Sequence, residues 1–381
     1  MFEPVPDQVG GSLVLSVDPG ARLDGPLTVA GVLVCPERIS LPQTAADATL
    51  DGMDLLVLGG TQFLSRAVAE VAVERGHEVT CACRGLTERP PAGTRHLPLD
   101  RESSDLSALA GGRFDAVVDV ARRPSFVHSA VRSVPDAHWV FVSTINVYEE
   151  IAERGAAPED LPLLPPVDVD GDPTASPEAY GSMKVACEAL VREGTRSWTI
   201  VRPGLIVGPG DPSGRFTYWP NRLSGPAGEV LAPGRPEDST QVIDVRDLAA
   251  WIVTLAEQET QGVLHGVGPS RPLADVLGEI ATGCGVAPDW RWVPQEFLQS
   301  HDVEPWSGER SIPLWLPRPE YDGFTDVDVS ASVGAGLRVR PIEETARDTL
   351  AWLRDDPDVP VTGLTVQEEK ELLEIHRHGG A

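Results

Sequence analysis

The segment AYGSMK, residues 179–184, places a phenol and an ammonium group four residues apart. Positions i and i+4 of a helix share one face, so Lys184 can approach Tyr180. A nearby cation favours the phenolate and lowers the tyrosine pKa from its reference value of about 10. Such a tyrosine can act as acid or base at a carbonyl or carbinol carbon. Taken alone, the pair also fits an exposed surface contact.

A second pair of polar side chains follows the apolar run WVFV, residues 139–142. The run predicts a buried strand, and the strands of a parallel sheet end at the edge where ligands bind. Ser143 and Thr144 come next, so their hydroxyls should lie at that edge. One of them can hydrogen-bond the oxygen that Tyr180 protonates and stabilise its developing charge. The alternative role is to cap the strand end.

The elements that would position these side chains alternate between strand and helix. Strands are predicted at 54–60, 77–85, 95–100, 114–121, 138–144 and 197–208, and helices at 63–76 and 177–193. The apolar strand runs do not alternate with polar residues, which is typical of a parallel sheet covered on both faces. The sequence therefore predicts an α/β fold, a Rossmann-like doubly wound parallel sheet with a smaller C-terminal substrate-binding cap.

Composition divides the chain around this sheet. Residues before the first predicted strand are rich in Gly, Pro and Asp and contain strand-like runs at 12–17 and 27–34. The predicted regions are an N-terminal extension (1–52), a dinucleotide-binding domain (53–208, with 240–267 returning to it), and a cap with the C-terminal region (209–239 and 268–381).

Five segments, taken in order, resemble the extended short-chain dehydrogenase/reductases, which include NAD(P)-dependent epimerases and dehydratases. They are LLVLGGTQFLS at 55–65, WVFVSTINVY at 139–148, AYGSMKVACE at 179–188, VRPGLIVGPGD at 201–211 and VIDVRDLA at 242–249. The resemblance covers residues 53–270 well and the C-terminal part more loosely. It implies a Rossmann fold and hydride transfer with a nicotinamide cofactor.

The resemblance also implies a role for each matching residue. Tyr180 corresponds to the acid/base, and Lys184 to its partner, which also holds the nicotinamide ribose. Thr144 corresponds to the residue that polarises the substrate carbonyl, and Ser143 is its alternative. The implied cofactor contacts are Gly59, Gly60, Thr61, Gln62, Phe63, Leu64, Asp100, Val120, Ala121, Pro203 and Gly204, together with Tyr180 and Lys184.

The glycine turn departs from the commonest family pattern. Glycines let backbone N–H groups and a helix N-terminus receive a pyrophosphate, since no side chain blocks the approach. Gly59 and Gly60 are present, but Gln62 and Ser65 stand where two further glycines are usual. A related branch of the family also lacks glycine at the position of Gln62. A hydroxymethyl group at Ser65 should adjust helix packing only, so we expect the turn to retain the cofactor.

Cofactor type depends on Arg84 at the end of the second strand. A carboxylate there would hydrogen-bond the ribose of NAD, whereas an arginine can pair with the 2′-phosphate of NADP. We therefore expect NADP(H), with NAD as the alternative, unless Arg84 is only a solvated charge. Asp100 is expected either to meet the adenine or to form a turn.

Four residues are candidates for the substrate side: Arg122, Asn146, Arg215 and Trp219. Arg215 can pair with a phosphate or carboxylate, or it can form a surface ion pair or pack on Trp219. Arg122 can meet an anionic ligand or balance nearby carboxylates. Asn146 lies two residues after Thr144 and is a further candidate for the substrate side.

The formal net charge of −27, from 31 basic and 58 acidic residues, disfavours nucleic acid and anionic membranes as partners. No apolar run reaches the ~20 residues of a membrane-spanning helix, and the N-terminus lacks a signal pattern. The five cysteines are scattered, and the Cys and His spacings predict no metal site. We expect a cytoplasmic protein that acts on a small molecule, and a homodimer stays open.

These patterns predict an oxidoreductase in which Tyr180 shuttles a proton at the carbon that exchanges the hydride. Net carbonyl reduction and an epimerase cycle both fit, on a small polar substrate such as a sugar nucleotide or a natural product. Dehydration is disfavoured, because Ile145 and Asn146 replace the acidic residues usual in the family's dehydratases. The rival hypothesis is a non-catalytic NADP-sensing or scaffold protein on the same fold, although such relatives generally lose the Tyr/Lys pair.

Overall fold

The computed structural model describes residues 52–103, 106–226, 228–356, 358–359 and 361–379. The strand-like runs predicted at 12–17 and 27–34 lie outside the described residues. The strands of the first half are β1 Asp54–Leu58, β2 Glu78–Cys83, β3 Arg95–Pro98, β4 Ala116–Asp119, β5 His138–Val142 and β6 Ser197–Pro203. Its helices are α1 Phe63–Glu74, α2 Ser107–Ala110, α3 Pro124–Ser133 and α4 Pro177–Gly194, with a 3₁₀ turn at Ile145–Val147.

The second half contains shorter strands and more helices. The strands are β7 Leu205–Val207, β8 Glu229–Pro233, β9 Ser239–Thr240, β10 Val242–Asp244, β11 Gly262–Gly266, β12 Arg271–Pro272, β13 Asp289–Val293, β14 Glu304–Pro305 and β15 Ser311–Ile312. The helices are α5 Tyr218–Ser224, α6 Val245–Glu257, α7 Leu273–Cys284, α8 Gln295–Ser300, α9 Ser330–Gly334, α10 Ile342–Asp355 and α11 Val366–Gly379, with a 3₁₀ turn at Gly323–Thr325. Of the helices within the described ranges, none is both long and apolar enough to cross a bilayer.

The central sheet has seven parallel strands in the order β11-β6-β5-β4-β1-β2-β3. Strands β4 and β5 are buried along their whole length, because helices cover both faces of the sheet. Helices α1 and α6 share one core cluster, and α3 and α4 share the other. The predicted Rossmann-like doubly wound fold is confirmed. The strand order reverses between β1 and β4, which opens a crevice at their carboxyl ends.

The segment predicted as one strand at 197–208 is two strands in the structure. Strand β6 stays in the central sheet, whereas β7 leaves it and pairs with β10. Pro203 at the end of β6 has no N–H to continue the ladder. The next residue, Gly204, packs so tightly that an added Cβ would lie 3.0 Å from Val267 Cγ2. The chain therefore turns out of the sheet at this edge.

A separate hydrophobic cluster builds the region beyond the sheet edge. It contains β8, β13 and the helices α5, α7 and α10, around fully buried side chains such as Trp219 and Trp315. Helix α11 is tied to this cluster through Glu369, which accepts hydrogen bonds from Leu231 N at 2.7 Å and from Arg222 Nε. The C-terminal helix thus contributes to the cap core.

Part of the predicted C-terminal region packs on the central sheet instead. Ser332 Oγ donates to His265 O of β11 at 2.6 Å, and Trp251 Nε1 of α6 donates to Ala335 O at 3.0 Å. Leu337 belongs to the same core cluster as α1 and α6. The segment from α9 to Leu337 is therefore an outer layer of the Rossmann domain.

Helix α4 has a well-defined start. Ser176 precedes it in extended backbone, and its hydroxyl accepts a hydrogen bond from Ala179 N at 3.1 Å. Pro177 occupies the first helical position, where its missing N–H would have had no partner. The helix that carries Tyr180 and Lys184 therefore begins at a fixed place.

Gly181 lets α4 pack closely against the chain that follows β5. An added Cβ on Gly181 would lie 2.0 Å from Asn146 O and 2.7 Å from Leu164 Cδ1. Glycine is therefore required directly after Tyr180, because any side chain would push the helix away from the 3₁₀ turn Ile145–Val147.

We predict that Gly181→Ala lowers the free energy of unfolding by about 3 kcal/mol, because the new methyl group meets a backbone carbonyl that cannot move freely. The matched control is Gly278→Ala in α7, whose added Cβ would meet nothing within 4 Å. That control should gain up to ~1 kcal/mol from helix propensity. Urea denaturation of the two variants measures the difference. Equal midpoints for both would contradict the close approach.

Candidate active site

Tyr180 lies in the first turns of α4, at the carboxyl edge of the sheet. Burial raises the pKa of its phenol, while the Arg122 guanidinium and a hydrogen bond with the Thr144 hydroxyl partly lower it. The phenol is therefore protonated at neutral pH. The structure thus brings together Tyr180, Thr144 and Arg122, which come from three separate segments of the sequence.

Lys184 lies one helical turn further on and is buried, with 1% of its surface exposed. Its Nζ donates to Val142 O at 2.6 Å, to Ala121 O at 2.7 Å and to Val120 O at 3.5 Å. The ammonium group therefore ties α4 to the ends of β4 and β5. Burial lowers the Lys184 pKa to about 8, so the group is still mainly charged at neutral pH.

The charge of Lys184 also faces two aromatic rings. Nζ lies 4.7 Å from the ring centroid of Phe141 and 6.0 Å from that of Tyr180. A desolvated cation near a ring is attracted to its face. The lysine is thus close enough to the Tyr180 ring to act on the phenol electrostatically.

Thr144 has the capping role that the sequence analysis gave as one of its alternatives. It caps the 3₁₀ turn Ile145–Val147, because its Oγ1 accepts a hydrogen bond from Asn146 N at 3.2 Å. The same hydroxyl donates to Asn146 Oδ1 at 3.0 Å, and its interaction with the Tyr180 phenol is one of the causes that lower the tyrosine pKa. Asn146, expected on the substrate side, is therefore bonded directly to Thr144.

Ser143 does not join this group. Its Oγ donates to Glu188 Oε1 at 2.6 Å, and the residue is 3% exposed. Successive side chains along an extended strand point to opposite sides, so Ser143 and Thr144 cannot face the same ligand. The structure thus corrects the expectation that Ser143 could substitute for Thr144.

The glycine turn after β1 has the backbone that its glycines permit. Gly59 and Gly60 have φ angles of 129° and 91°. An added Cβ on Gly60 would lie 2.4 Å from Cys81 Sγ, so only glycine fits there. Ser65 is buried, and its hydroxyl donates to Gln62 O at 2.9 Å. The Ser65 hydroxyl therefore has its hydrogen-bond partner at the start of α1.

A cavity of about 240 Å³ adjoins this turn. Gly59, Thr61 and Gln62 line it from the turn, and Arg84 and Asp100 line it from the ends of β2 and β3. Arg84 is exposed at its rim. Asp100 Oδ1 accepts a hydrogen bond from Glu102 N at 3.1 Å, so the turn role expected for Asp100 is present.

Arg101 also lines this cavity, and the sequence analysis missed it. Its guanidinium donates to Asp119 Oδ1 at 2.8 Å and to Asp119 Oδ2 at 2.9 Å, and to Phe126 O at 2.8 Å. Arginine can match a carboxylate in this bidentate way, which makes the pair geometrically specific. The aspartate at the end of the apolar strand β4 was the available signal, because a buried carboxylate needs a cation or hydrogen-bond donors as partners.

The remaining cofactor candidates follow the ends of the strands. Val120 and Ala121 present their carbonyls to Lys184. Gly204 directly follows β6, and an added Cβ there would lie 3.5 Å from Ile145 Cδ1. Of the turn residues, Phe63 begins α1 with a φ of 36°. Leu64 is buried in the core with only 7% exposed, so it can offer a ligand only its backbone.

Arg215 reaches the same region from the loop after β7. Burial lowers the Arg215 pKa, and Asp211 and Tyr180 raise it in part, so Arg215 lies within electrostatic range of the phenol. Its Cζ lies 5.2 Å from the ring centroid of Trp306. Its Nε is buried without a hydrogen-bond partner among the described residues. The Nε–H group of Arg215 is therefore free to donate a hydrogen bond in the neighbourhood of Tyr180.

Trp219, expected on the substrate side, is placed elsewhere. It is fully buried in the cap core, and its Nε1 donates to Pro313 O at 3.0 Å. A tryptophan with no exposed surface cannot contact a substrate, so this expectation is corrected. The aromatic partner of Arg215 is Trp306 rather than Trp219.

A sequence model described as the NAD dependent epimerase/dehydratase family matches residues 55–266. The chain belongs to this family. The matched range includes the glycine turn, Thr144, Tyr180 and Lys184, so the predicted resemblance is confirmed.

Individual relatives are distant. The chloroplast stem-loop binding protein of 41 kDa b from Arabidopsis thaliana is 24% identical over 267 residues, covering 64% of this chain and 67% of the relative. The dTDP-6-deoxy-L-talose 4-dehydrogenase (NAD(P)(+)) from Kitasatospora kifunensis is 22% identical over 308 residues, covering 67% and 91%. The structure of UDP-glucuronic acid 4-epimerase from Bacillus cereus in complex with NAD matches with a TM-score of 0.54 and 16% identity, covering 80% of this chain and 97% of that one. At this identity the structural likeness shows the fold.

The residues at the glycine turn fit the pyrophosphate of a dinucleotide. An added Cβ on Gly60 would point at the buried Cys81 Sγ, so this glycine lets the turn pack closely on β2. The first turn of α1 has no side-chain cap in the described structure, so its N–H groups can donate hydrogen bonds to an anion.

We predict that Lys184→Arg lowers the free energy of unfolding by about 2 kcal/mol, since a planar guanidinium cannot replace a compact ammonium among three carbonyl oxygens. The sequence contains only two lysines, Lys184 and Lys370. Lys370 is exposed on α11, so Lys370→Arg is the matched control and should change stability by less than ~0.5 kcal/mol. Urea denaturation compares the two. A Lys184→Arg variant as stable as the control would contradict the tight carbonyl cage.

Proposed function

We propose that the chain is an NAD(P)-dependent oxidoreductase of the extended short-chain type, which acts at a carbonyl or carbinol carbon. The observation that carries the proposal is the Tyr180 phenol, flanked by the Thr144 hydroxyl and the Lys184 ammonium group at the sheet edge. When bound, the nicotinamide ring donates or accepts the hydride. The protein supplies the proton and the electrostatics.

In the reductive direction, Tyr180 is the acid. Its phenol is protonated at neutral pH, because burial raises its pKa. As negative charge develops on the carbonyl oxygen, Tyr180 Oη gives up its proton, and the Thr144 hydroxyl turns its own proton from Asn146 Oδ1 to hydrogen-bond the same oxygen. The charges of Lys184 and Arg122 stabilise the resulting phenolate. In the oxidative direction the same groups return the proton.

An anionic substrate fits the charges around Tyr180. Arg215 has a buried Nε without a described partner, and a phosphate or carboxylate can complete its hydrogen bonds. Arg122 is exposed, and its charge also lowers the pKa of the phenol. A sugar nucleotide or an acidic natural product has such a group. Net reduction and epimerisation use the same proton transfer, and both remain within the proposal.

NADP(H) is the preferred cofactor in this proposal. Arg84 is exposed at the rim of the cavity beside the glycine turn, where a guanidinium can pair with a 2′-phosphate. No carboxylate ends β2 to receive the ribose hydroxyl of NAD. The UDP-glucuronic acid epimerase neighbour was solved with NAD, so NAD is the competing cofactor.

A non-catalytic protein that senses NADP is the alternative. One relative is named for stem-loop binding, which supports considering functions other than catalysis. However, the net charge of −27 opposes association with a polyanion. The absence of a nucleic-acid partner therefore remains a prediction, as do the small-molecule substrate, the homodimer and the cytoplasmic location.

Tyr180→Phe should lower turnover by at least about 100-fold and leave the cofactor dissociation constant unchanged, because it removes only the transferable proton. Turnover is followed by nicotinamide absorbance with a panel of 2-oxo acids, keto sugars and nucleotide sugars, and epimerisation by product NMR. Tyr218→Phe, which alters a phenol buried in the cap core, is the control and should keep its activity. Full activity in Tyr180→Phe would refute the assignment.

Arg84→Glu should weaken NADPH binding at least tenfold and leave NADH binding nearly unchanged, since a carboxylate repels the 2′-phosphate but accepts a hydrogen bond from the ribose hydroxyl. Fluorescence titration of both cofactors gives the two dissociation constants. The control is Arg113→Glu, which makes the same charge change at an exposed site before β4. An unaltered cofactor ratio in Arg84→Glu would exclude this role for Arg84.

A further inference from the structure

A buried polar network lies beneath the candidate site, and the proposed chemistry does not use it. Glu188 and Arg202 form its centre and are 1% and 2% exposed. Arg202 Nε donates to Glu188 Oε1 at 3.0 Å, and Arg202 Nη2 donates to Glu188 Oε2 at 2.8 Å. Glu188 lies on α4, one helical turn beyond Lys184 and two beyond Tyr180. The ion pair therefore connects the helix that carries Tyr180 with the end of β6.

Two arms lead from this pair to the turn that carries Thr144. On one side, Ser143 Oγ donates to Glu188 Oε1 at 2.6 Å. On the other side, Arg202 Nη1 donates to Tyr148 Oη at 3.1 Å. Ser143 immediately precedes Thr144, and Tyr148 ends the 3₁₀ turn that Thr144 caps. Both ends of this short segment are therefore bonded to the same ion pair.

At the end of the network away from Glu188, Tyr148 and His265 also have hydrogen-bond partners. Tyr148 Oη lies 2.6 Å from His265 Nε2, and His265 Nδ1 lies 2.7 Å from Asp328 O. A carbonyl can only accept, so Nδ1 carries the proton and Nε2 accepts from the Tyr148 hydroxyl. Burial lowers the His265 pKa, which agrees with this neutral form. The Tyr148 hydroxyl thus has both a donor and an acceptor partner, and these two hydrogen bonds fix its position.

We propose that the Glu188–Arg202 pair is a positioning device for Thr144. Through Ser143 and Tyr148, it holds the Thr144 turn against the first turns of α4, so that the Thr144 hydroxyl lies beside the Tyr180 phenol. Gly181 permits the close approach between α4 and this turn, and the network fixes the position of the turn along α4. The catalytic meaning of this contact rests on the proposed function, but the positioning itself is a property of the chain alone.

The test observes Tyr180 directly, without substrate or cofactor. The chain has four tyrosines, so fluorotyrosine labelling and fluorine NMR give few signals, and Tyr180→Phe identifies the one from Tyr180. Its titration midpoint is measured in each variant. The groups that act on the phenol besides Thr144 are Arg122, Cys187, Arg215 and Lys184, and they are unchanged throughout. A difference between variants therefore reports the hydrogen bond with Thr144.

Thr144→Val, which deletes that hydrogen bond, gives the reference shift of the midpoint to higher pH. Ser143→Ala and Tyr148→Phe should each shift it in the same direction by at least half as much. The double variant should shift no further than Thr144→Val, because both arms act through one contact. If Ser143→Ala does not fold, Tyr148→Phe provides an independent test.

The matched control is Ser197→Ala. Ser197 is also buried in the sheet, and its hydroxyl bonds His138 Nδ1 at 2.8 Å, but it lies at the opposite end of β6. It should lose stability and leave the Tyr180 midpoint unchanged. If Ser143→Ala and Tyr148→Phe behave like Ser197→Ala, the network is only structural and the proposal is overturned. The same holds if Thr144→Val produces no shift. Failure of the turnover test with Tyr180→Phe would leave this result unaffected.

Discussion

The buried ammonium group of Lys184 is the interaction on which the sheet edge depends. A cation is costly to remove from water unless each of its donors finds an acceptor. Here the acceptors are main-chain carbonyls at the ends of β4 and β5. The lysine thus uses its charge to fasten α4 across two strand ends. Because those carbonyls have no freedom to move away, Tyr180 one turn earlier is held in place as well.

Close backbone approach is the second constraint at this edge. Gly60 faces Cys81 and Gly181 faces Asn146 O at separations that no side chain could share. By contrast, Ser65 replaces a glycine without harm to the turn, because its hydroxyl bonds back to Gln62 O. Glycine is therefore required at some positions of this edge and not at others. The constraint is steric at Gly60 and Gly181, whereas at Ser65 it is met by a local hydrogen bond.

The charge near the site differs from that of the molecule as a whole. A net charge of −27 would repel an anionic ligand, yet Arg84, Arg122 and Arg215 lie around the crevice at the strand ends. Local groups dominate at short range, since salt screens the more distant acidic surface within about 8 to 10 Å. An acidic protein can therefore still place arginines next to the strand ends.

The α/β layers were predictable from the residue pattern, because apolar runs without alternation can be buried only between two layers of helix. The shared face of Tyr180 and Lys184 was predictable as well, since residues i and i+4 lie on one face of any helix. The fold was needed to show that Ser143 turns towards Glu188, that Trp219 enters the cap core while Trp306 meets Arg215, and that the chain leaves the sheet after Pro203. These outcomes depend on contacts between residues far apart in the chain, and local spacing carries no information about which distant group will be there.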